Sequence, residues 1–185
     1  MDNSLEGRAP CPRLLWNEPS GSETLAEPAR GTLVPSEQRR ERQWSQLLAF
    51  ADCQVGECAQ ELLDRCRATV TGPVDLVRCT LAWLGLHEGG TYRAILDAAR
   101  ERGLGLCPDT VAPEIRLAYV NQPRGEWLLV ATRPIKDGAD EACLFAVDRD
   151  EGSLRLRAVA VPAARRFHPR CELIFRAKSA RARRR

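Results

Sequence analysis

Apolar residues Trp44, Leu48, Ala51, Val55, Cys58, Leu62 and Cys66 recur at spacings of 4, 3, 4, 3, 4 and 4. That spacing gathers them into one stripe and predicts a helix over about 37–68. Gly56 falls inside it at a cost of about 1 kcal/mol relative to Ala, so a kink or a break into two helices is the alternative. Thr71, Gly72 and Pro73 end the segment. Val74, Val77, Leu81 and Leu84 then predict a second helix over 74–84, terminated by Gly85. Thr91 is an N-cap residue for a third helix, about 92–102, that would bury Tyr92, Ile95, Leu96 and Ala99. Gly103 follows in the position where a left-handed residue closes a helix.

Beyond Leu104 the period changes. Asp109 is placed to cap a short helical turn reaching Pro113, and Ile115, Leu117 and Tyr119 alternate with Arg116, Ala118 and Val120, as in a half-buried strand. Trp127 to Thr132 is a nearly continuous apolar run, which predicts a strand buried on both faces. Cys143 to Asp148, Leu154 to Val161 and Cys171 to Phe175 complete the set, with Asp150 to Ser153 as a hairpin turn. Short strands with short connections predict an antiparallel sheet. The expected fold class is α+β, with N-terminal helices followed by a small antiparallel sheet of about five strands. The expected organisation is a disordered leader over 1–35, a helical segment over 36–72, an α+β domain over 73–176 and a basic disordered tail over 177–185. The leader carries five prolines amid Gly, Ser and Glu and shows no periodicity.

Composition sharpens this picture in two places. The 185 residues carry a formal charge of +3, but Arg176, Lys178, Arg181, Arg183, Arg184 and Arg185 supply six cations within the last ten positions. Residues 1–175 hold 22 basic against 25 acidic groups, so the body is mildly acidic at −3. The longest apolar runs are about five residues, far short of the roughly 20 that span a bilayer, and the first twenty residues lack the apolar core of a secretory signal. The expectation is a cytoplasmic protein with no membrane partner, whose eight cysteines are thiols rather than disulfides.

The words Gly90-Thr91-Tyr92, Gly103-Leu104-Gly105-Leu106-Cys107-Pro108, Arg116-Leu117, Tyr119, Gln122-Pro123, Gly125-Glu126-Trp127-Leu128, Pro134-Ile135, Phe145 and Val147-Asp148-Arg149-Asp150 occur in that order. In this order they resemble a family of uncharacterised small bacterial proteins, over about residues 90–150. The resemblance implies a domain over about 73–176 and no established activity. Some members carry a helicase designation, yet this chain has no Gly-x-x-x-x-Gly-Lys-Ser/Thr phosphate loop.

Candidate chemistry is sparse. The cysteines form no close pairs of the kind that hold zinc, and Cys58 and Cys66 fall on an apolar stripe, so no metal and no cofactor is predicted. Cys107 before Pro108 is a candidate nucleophile only if His87 or His168 reaches it as a base. Glu126, beside Trp127 at the head of an apolar strand, is a candidate carboxylate with a raised pKa. These two residues carry the alternative of a thiol- or carboxylate-dependent hydrolase.

A second alternative is a nucleic-acid-binding protein that uses the Arg-rich tail and a helix-turn-helix-like hairpin formed by 74–84 and 91–102. The leading expectation is a binding or interaction module without evident catalysis, whose partner is a protein or a small ligand. Its site is placed at the turns around the first strands, on Tyr119, Gln122, Arg124, Glu126, Trp127, Asp148 and Arg149. Convergence of Glu126, Arg116, Asp148 and Cys107 in one pocket would favour chemistry, and their dispersal would favour recognition.

Overall fold

Residues 128–131, 143–147 and 173–175 are apolar at every position, so strands built from them need cover on both faces. The computed structural model, which describes residues 13–17, 27–35, 44–66, 70 and 72–178, shows how that cover is supplied. The chain runs β1 (Arg13–Asn17), β2 (Ala29–Val34), α1 (Trp44–Phe50), β3 (Cys53–Val55), α2 (Glu57–Arg65) and β4 (Val74–Thr80). It continues with β5 (Gly90–Thr91), α3 (Tyr92–Glu101), β6 (Leu104–Gly105), α4 (Val111–Ala118), β7 (Trp127–Val130) and β8 (Ile135–Lys136). It ends with β9 (Ala142–Arg149), β10 (Leu154–Ala160), β11 (Arg166–Phe167) and β12 (Glu172–Ala177).

Among the described residues, ten strands form one sheet in the order β1-β2-β4-β12-β7-β9-β10-β3, with β6 against β12 and β8 against β9. The sheet is mixed, because β12 runs parallel to β7 and β10 parallel to β3 while the other pairings are antiparallel. Strand alternation divides its side chains into two cores. Leu76, Leu128, Val130, Phe145, Val147, Leu156 and Ile174 pack with Leu48, Leu62, Val111 and Ile115 of α1, α2 and α4. Val77, Cys79, Leu129, Leu144, Ala146, Leu173 and Phe175 pack with Tyr92, Ile95 and Ala99 of α3. The architecture is therefore three helices, a mixed sheet and a fourth helix, in layers.

Several expectations are corrected here. The fold is not a set of N-terminal helices followed by a small antiparallel sheet of five strands: the sheet has ten strands, is mixed, and takes β1 and β2 from the segment expected to be a disordered leader. Leu33 of β2 is fully buried, which fixes that strand in the sheet, and residues 1–12 and 18–26 lie outside the described residues. Of the helix expected over 37–68, the described residues 44–66 form two short helices separated by β3, where Asp52 turns the chain at φ 53° and Cys53–Val55 pairs with Leu154–Leu156, and the rest of that span lies outside the described residues. The helix expected over 74–84 is β4, and the strand expected around Ile115 is α4. A two-helix DNA-reading hairpin over 74–102 is thereby removed, since its first member is a strand.

Other local rules hold. In α3 the Thr91 hydroxyl accepts from the Ala94 amide at 3.4 Å, and Gly103 follows the last turn at φ +74°. The Asp150 carboxylate accepts from the amides of Gly152 and Ser153 at 3.0 and 2.8 Å, which closes the β9–β10 hairpin. Gly89 adopts φ +70° where a Cβ would lie 2.1 Å from the Phe167 carbonyl oxygen, so the β5–β11 pair requires glycine there.

A candidate binding cleft at the heads of β7 and β12

The residues singled out by sequence separate onto the two faces of the sheet. Glu126 bridges Arg149 across the extension of β7 and β9: the Arg149 amide donates to the Glu126 carbonyl at 3.2 Å and the Gly125 amide to the Arg149 carbonyl at 2.7 Å. In register with Leu128 and Val147, Glu126 and Arg149 lie on the side of α4, where Tyr119 ends that helix. Trp127 and Asp148 are register partners on the opposite side, with Leu129 and Ala146. Arg124 is exposed in the turn between α4 and β7.

On the α4 side the centre is Arg116, 1% exposed in the last turn of the helix. Its guanidinium donates to the Gln122 side-chain oxygen, to the Tyr119 carbonyl and, at 3.2 Å, to the Asp148 carbonyl. Gln122, fully buried, turns its amide group to the Glu126 and Val147 carbonyls at 3.3 and 3.2 Å. Arg149 donates to the Gln122 carbonyl at 2.9 Å. These bonds tie the 119–126 loop to β9. Gln122 and Arg116 hold the fold together and present nothing to solvent, which corrects the placing of Gln122 in a surface site.

On the α3 side Asp148 is buried and its Oδ2 takes Arg155 Nη2 at 2.5 Å and Nε at 3.0 Å, with Arg157 at 3.7 Å. Its Oδ1 has no hydrogen-bond partner among the described residues. Asp150 pairs with the same Arg155. The aspartates flanking Arg149 therefore bind arginines of β10, leaving no open chelating pair.

Three strand ends meet beside this cluster. Arg78 of β4, Glu126 ahead of β7 and Glu172 at the start of β12 all lie on the α4 side, brought together because β12 sits between β4 and β7. Arg78 Nη1 is 2.6 Å from Glu126 Oε1, and Arg78 Nη2 and Nε are 2.5 and 2.6 Å from Glu172 Oε2. The Tyr119 hydroxyl donates to Glu126 Oε1 at 3.5 Å. One guanidinium thus serves two carboxylates, all three side chains being at most 21% exposed.

Burial pushes the Glu126 carboxyl above its ordinary range, against the pull of Arg78 and the Tyr119 hydroxyl. Burial also disfavours the Arg78 charge, yet Glu126 and Glu172 together hold that guanidinium above its ordinary value. The raised carboxyl matches the reading of Glu126 from sequence.

A cleft of about 330 Å³ opens over this triad, lined by Arg78, Gly125, Glu126, Trp127, Arg170, Cys171 and Glu172. Of these, only Glu126 and Trp127 were singled out from sequence. Arg78 is hidden by the helix-like spacing of its segment, although an arginine inside the run Val74-Asp75-Leu76-Val77-Arg78-Cys79 is a signal of a paired interior charge. Nothing in the local pattern marked Glu172 or Arg170.

The thiol reading fares differently. Cys107 is 4% exposed, and its Sγ lies 3.7 Å from the Ile174 carbonyl, to which it donates. Burial pushes its thiol up, the opposite of what a nucleophile needs. His87 and His168 are exposed in loops, and His168 Nδ1 accepts from the Arg170 amide at 3.2 Å. Cys107 is not among the residues that line the cleft over Glu126. Iodoacetamide at pH 7 is expected to modify the exposed Cys58 well before Cys107 in the folded protein. Peptide mass mapping with time checks this, and equal rates at the two thiols would contradict the burial.

Among the described residues, no three His, Cys, Asp or Glu side chains gather where they could hold a metal ion, and no helix is long and apolar enough to cross a membrane. Of the tail cations, Arg176 and Lys178 are exposed at the end of β12, while Arg181, Arg183, Arg184 and Arg185 lie outside the described residues. No family model, curated protein or solved structure matches the chain. The resemblance over residues 90–150 rests on its order of residues alone.

Proposed function

We propose that the chain is a binding module that takes a small polar ligand in the cleft at the heads of β7 and β12. The observation that carries this reading is the triad of Arg78, Glu126 and Glu172 under an open cleft of about 330 Å³. Ligand sites commonly start at about 300 Å³ and combine apolar walls with a few convergent polar groups. Here Trp127 and Cys171, both half-buried, are the apolar wall, and the triad with Arg170 is the polar set. The cleft is built on strand ends held in register by the sheet, so its polar groups are preorganised and little ordering opposes binding.

The experiment is an amide NMR titration with a library of small polar fragments. Shifts are expected to cluster at residues 125–127 and 170–172. No shifts across the library, or shifts confined to the groove between Leu96 and Leu106, would overturn the reading.

A further inference from the structure

Four charged side chains line the cleft, two of each sign, and they are not mixed evenly. Glu126 and Glu172 share the single cation Arg78, so that end keeps an excess negative charge. Arg170 is exposed in the loop leading into β12, and its backbone amide is fixed by His168 Nδ1 at 3.2 Å. The lining as a whole is formally neutral, with one cation and two carboxylates in the triad and the second cation on Arg170, outside it. A ligand of one sign would satisfy one end and be repelled by the other, whereas a zwitterion satisfies both. Trp127 and Cys171, which pack on the α3 side of the sheet, reach the cleft at the strand ends as its apolar members, and an aromatic ring is itself attractive to an ammonium or to another ring. The cleft volume is at the low end for ligand sites, which limits the occupant to a small molecule.

We infer that the ligand is a free amino acid with an apolar or aromatic side chain. Its ammonium is held by Glu172 and Glu126, its carboxylate by Arg170, and its side chain by Trp127. This rests on the cleft being a ligand site at all, as proposed above. The ammonium adds a cation to a triad that has one guanidinium for two carboxylates, so it relieves an imbalance already present. The carboxylate meets a guanidinium, the donor whose forked geometry suits it best.

L-Phenylalanine is the probe, titrated by calorimetry against the full chain alongside N-acetyl-L-phenylalanine and L-phenylalanine methyl ester. The free amino acid is expected to bind, and each blocked derivative to bind about tenfold or more weakly, since each loses one charge-assisted contact. Arg170 is exposed, so Arg170→Ala should keep the fold, checked by an unchanged melting temperature. That variant should bind the free amino acid no better than wild type binds the methyl ester. Binding of fragments at residues 125–127 and 170–172 without binding of L-phenylalanine would overturn this inference and leave the cleft reading standing. Equal affinity for all three compounds would do the same. Silence of the cleft toward every fragment would remove both.

Discussion

Arg116→Met is expected to destabilise the protein by about 3 kcal/mol, because three buried neutral acceptors lose their donor at about 1–3 kcal/mol each while the cost of burying the guanidinium is relieved. The guanidinium is 1% exposed and reaches three acceptors on three segments: the Tyr119 carbonyl at the end of α4, the Gln122 side chain in the loop and the Asp148 carbonyl of β9. Methionine fills a similar volume, so the variant isolates lost hydrogen bonding from lost packing. It leaves three buried acceptors without their donor, and leaving such groups unsatisfied costs more than a hydrogen bond contributes when made. For a chain of this length, each kcal/mol lowers the melting temperature by about 2–4 °C. Urea titration with thermal melts gives the number. A loss under about 1 kcal/mol would mean that the loop holds its place without Arg116. Arg116→Lys should recover little, because an ammonium cannot span acceptors that a planar fork reaches together.

The same residue shows why part of the fold could not be read from hydrophobic pattern. In α4 the buried positions are Val111, Ala112, Pro113, Glu114, Ile115 and Arg116, so nearly every side of the helix is interior. A period analysis that counts Arg116 and Glu114 as polar sees only the alternation of Ile115, Leu117 and Tyr119 and assigns a strand. Pro113 is tolerated because it lies in the first turn, where no helical partner is lost. In β4 the error is the mirror image. Val74 and Leu76 face one core and Val77 and Cys79 the other, and a short run buried on both sides mimics the spacing of a helix stripe.

The strands after residue 127 were legible because their apolar runs are bounded by turns with identifiable chemistry, such as the Asp150 hairpin. The parallel pairings of β7 with β12 and of β3 with β10 join segments far apart in sequence, and no local pattern reports them. The cleft depends on one of those pairings, since β12 must lie between β4 and β7 for Arg78 to meet both carboxylates. Glu126 could therefore be picked out from its apolar neighbours, while its partner on β4 and the second carboxylate on β12 could not.

Arg78→Met is expected to make stability depend on pH in a way the wild-type protein does not match. Without the guanidinium, Glu126 and Glu172 face each other at 11% and 21% side-chain exposure with no cation between them. Burial already holds the Glu126 carboxyl above its ordinary value, and Arg78 is the main influence pulling it back down. Removing Arg78 raises that pKa further, so the folded variant binds a proton that the unfolded chain releases near the ordinary 4.5. Stability changes with pH in proportion to the protons bound unfolded minus those bound folded. Here the folded state binds more, so stability falls as pH rises from 4.5 through the raised pKa.

Below pH 4.5 both states are protonated at Glu126, and the part of the loss that comes from its charge is absent. The deficit relative to wild type should therefore be small at pH 4 and reach about 3 kcal/mol at pH 8, the scale of an uncompensated buried charge. Comparing the two proteins at each pH cancels the titrations they share. Adding Glu126→Gln removes one of the two opposed carboxylates, and the double variant should regain much of the loss at pH 8 while gaining little at pH 4. Urea midpoints at four pH values for the three proteins test this. A deficit independent of pH would show that Arg78 acts through packing of its stem, and that the carboxylates under the cleft are not held in place by its charge.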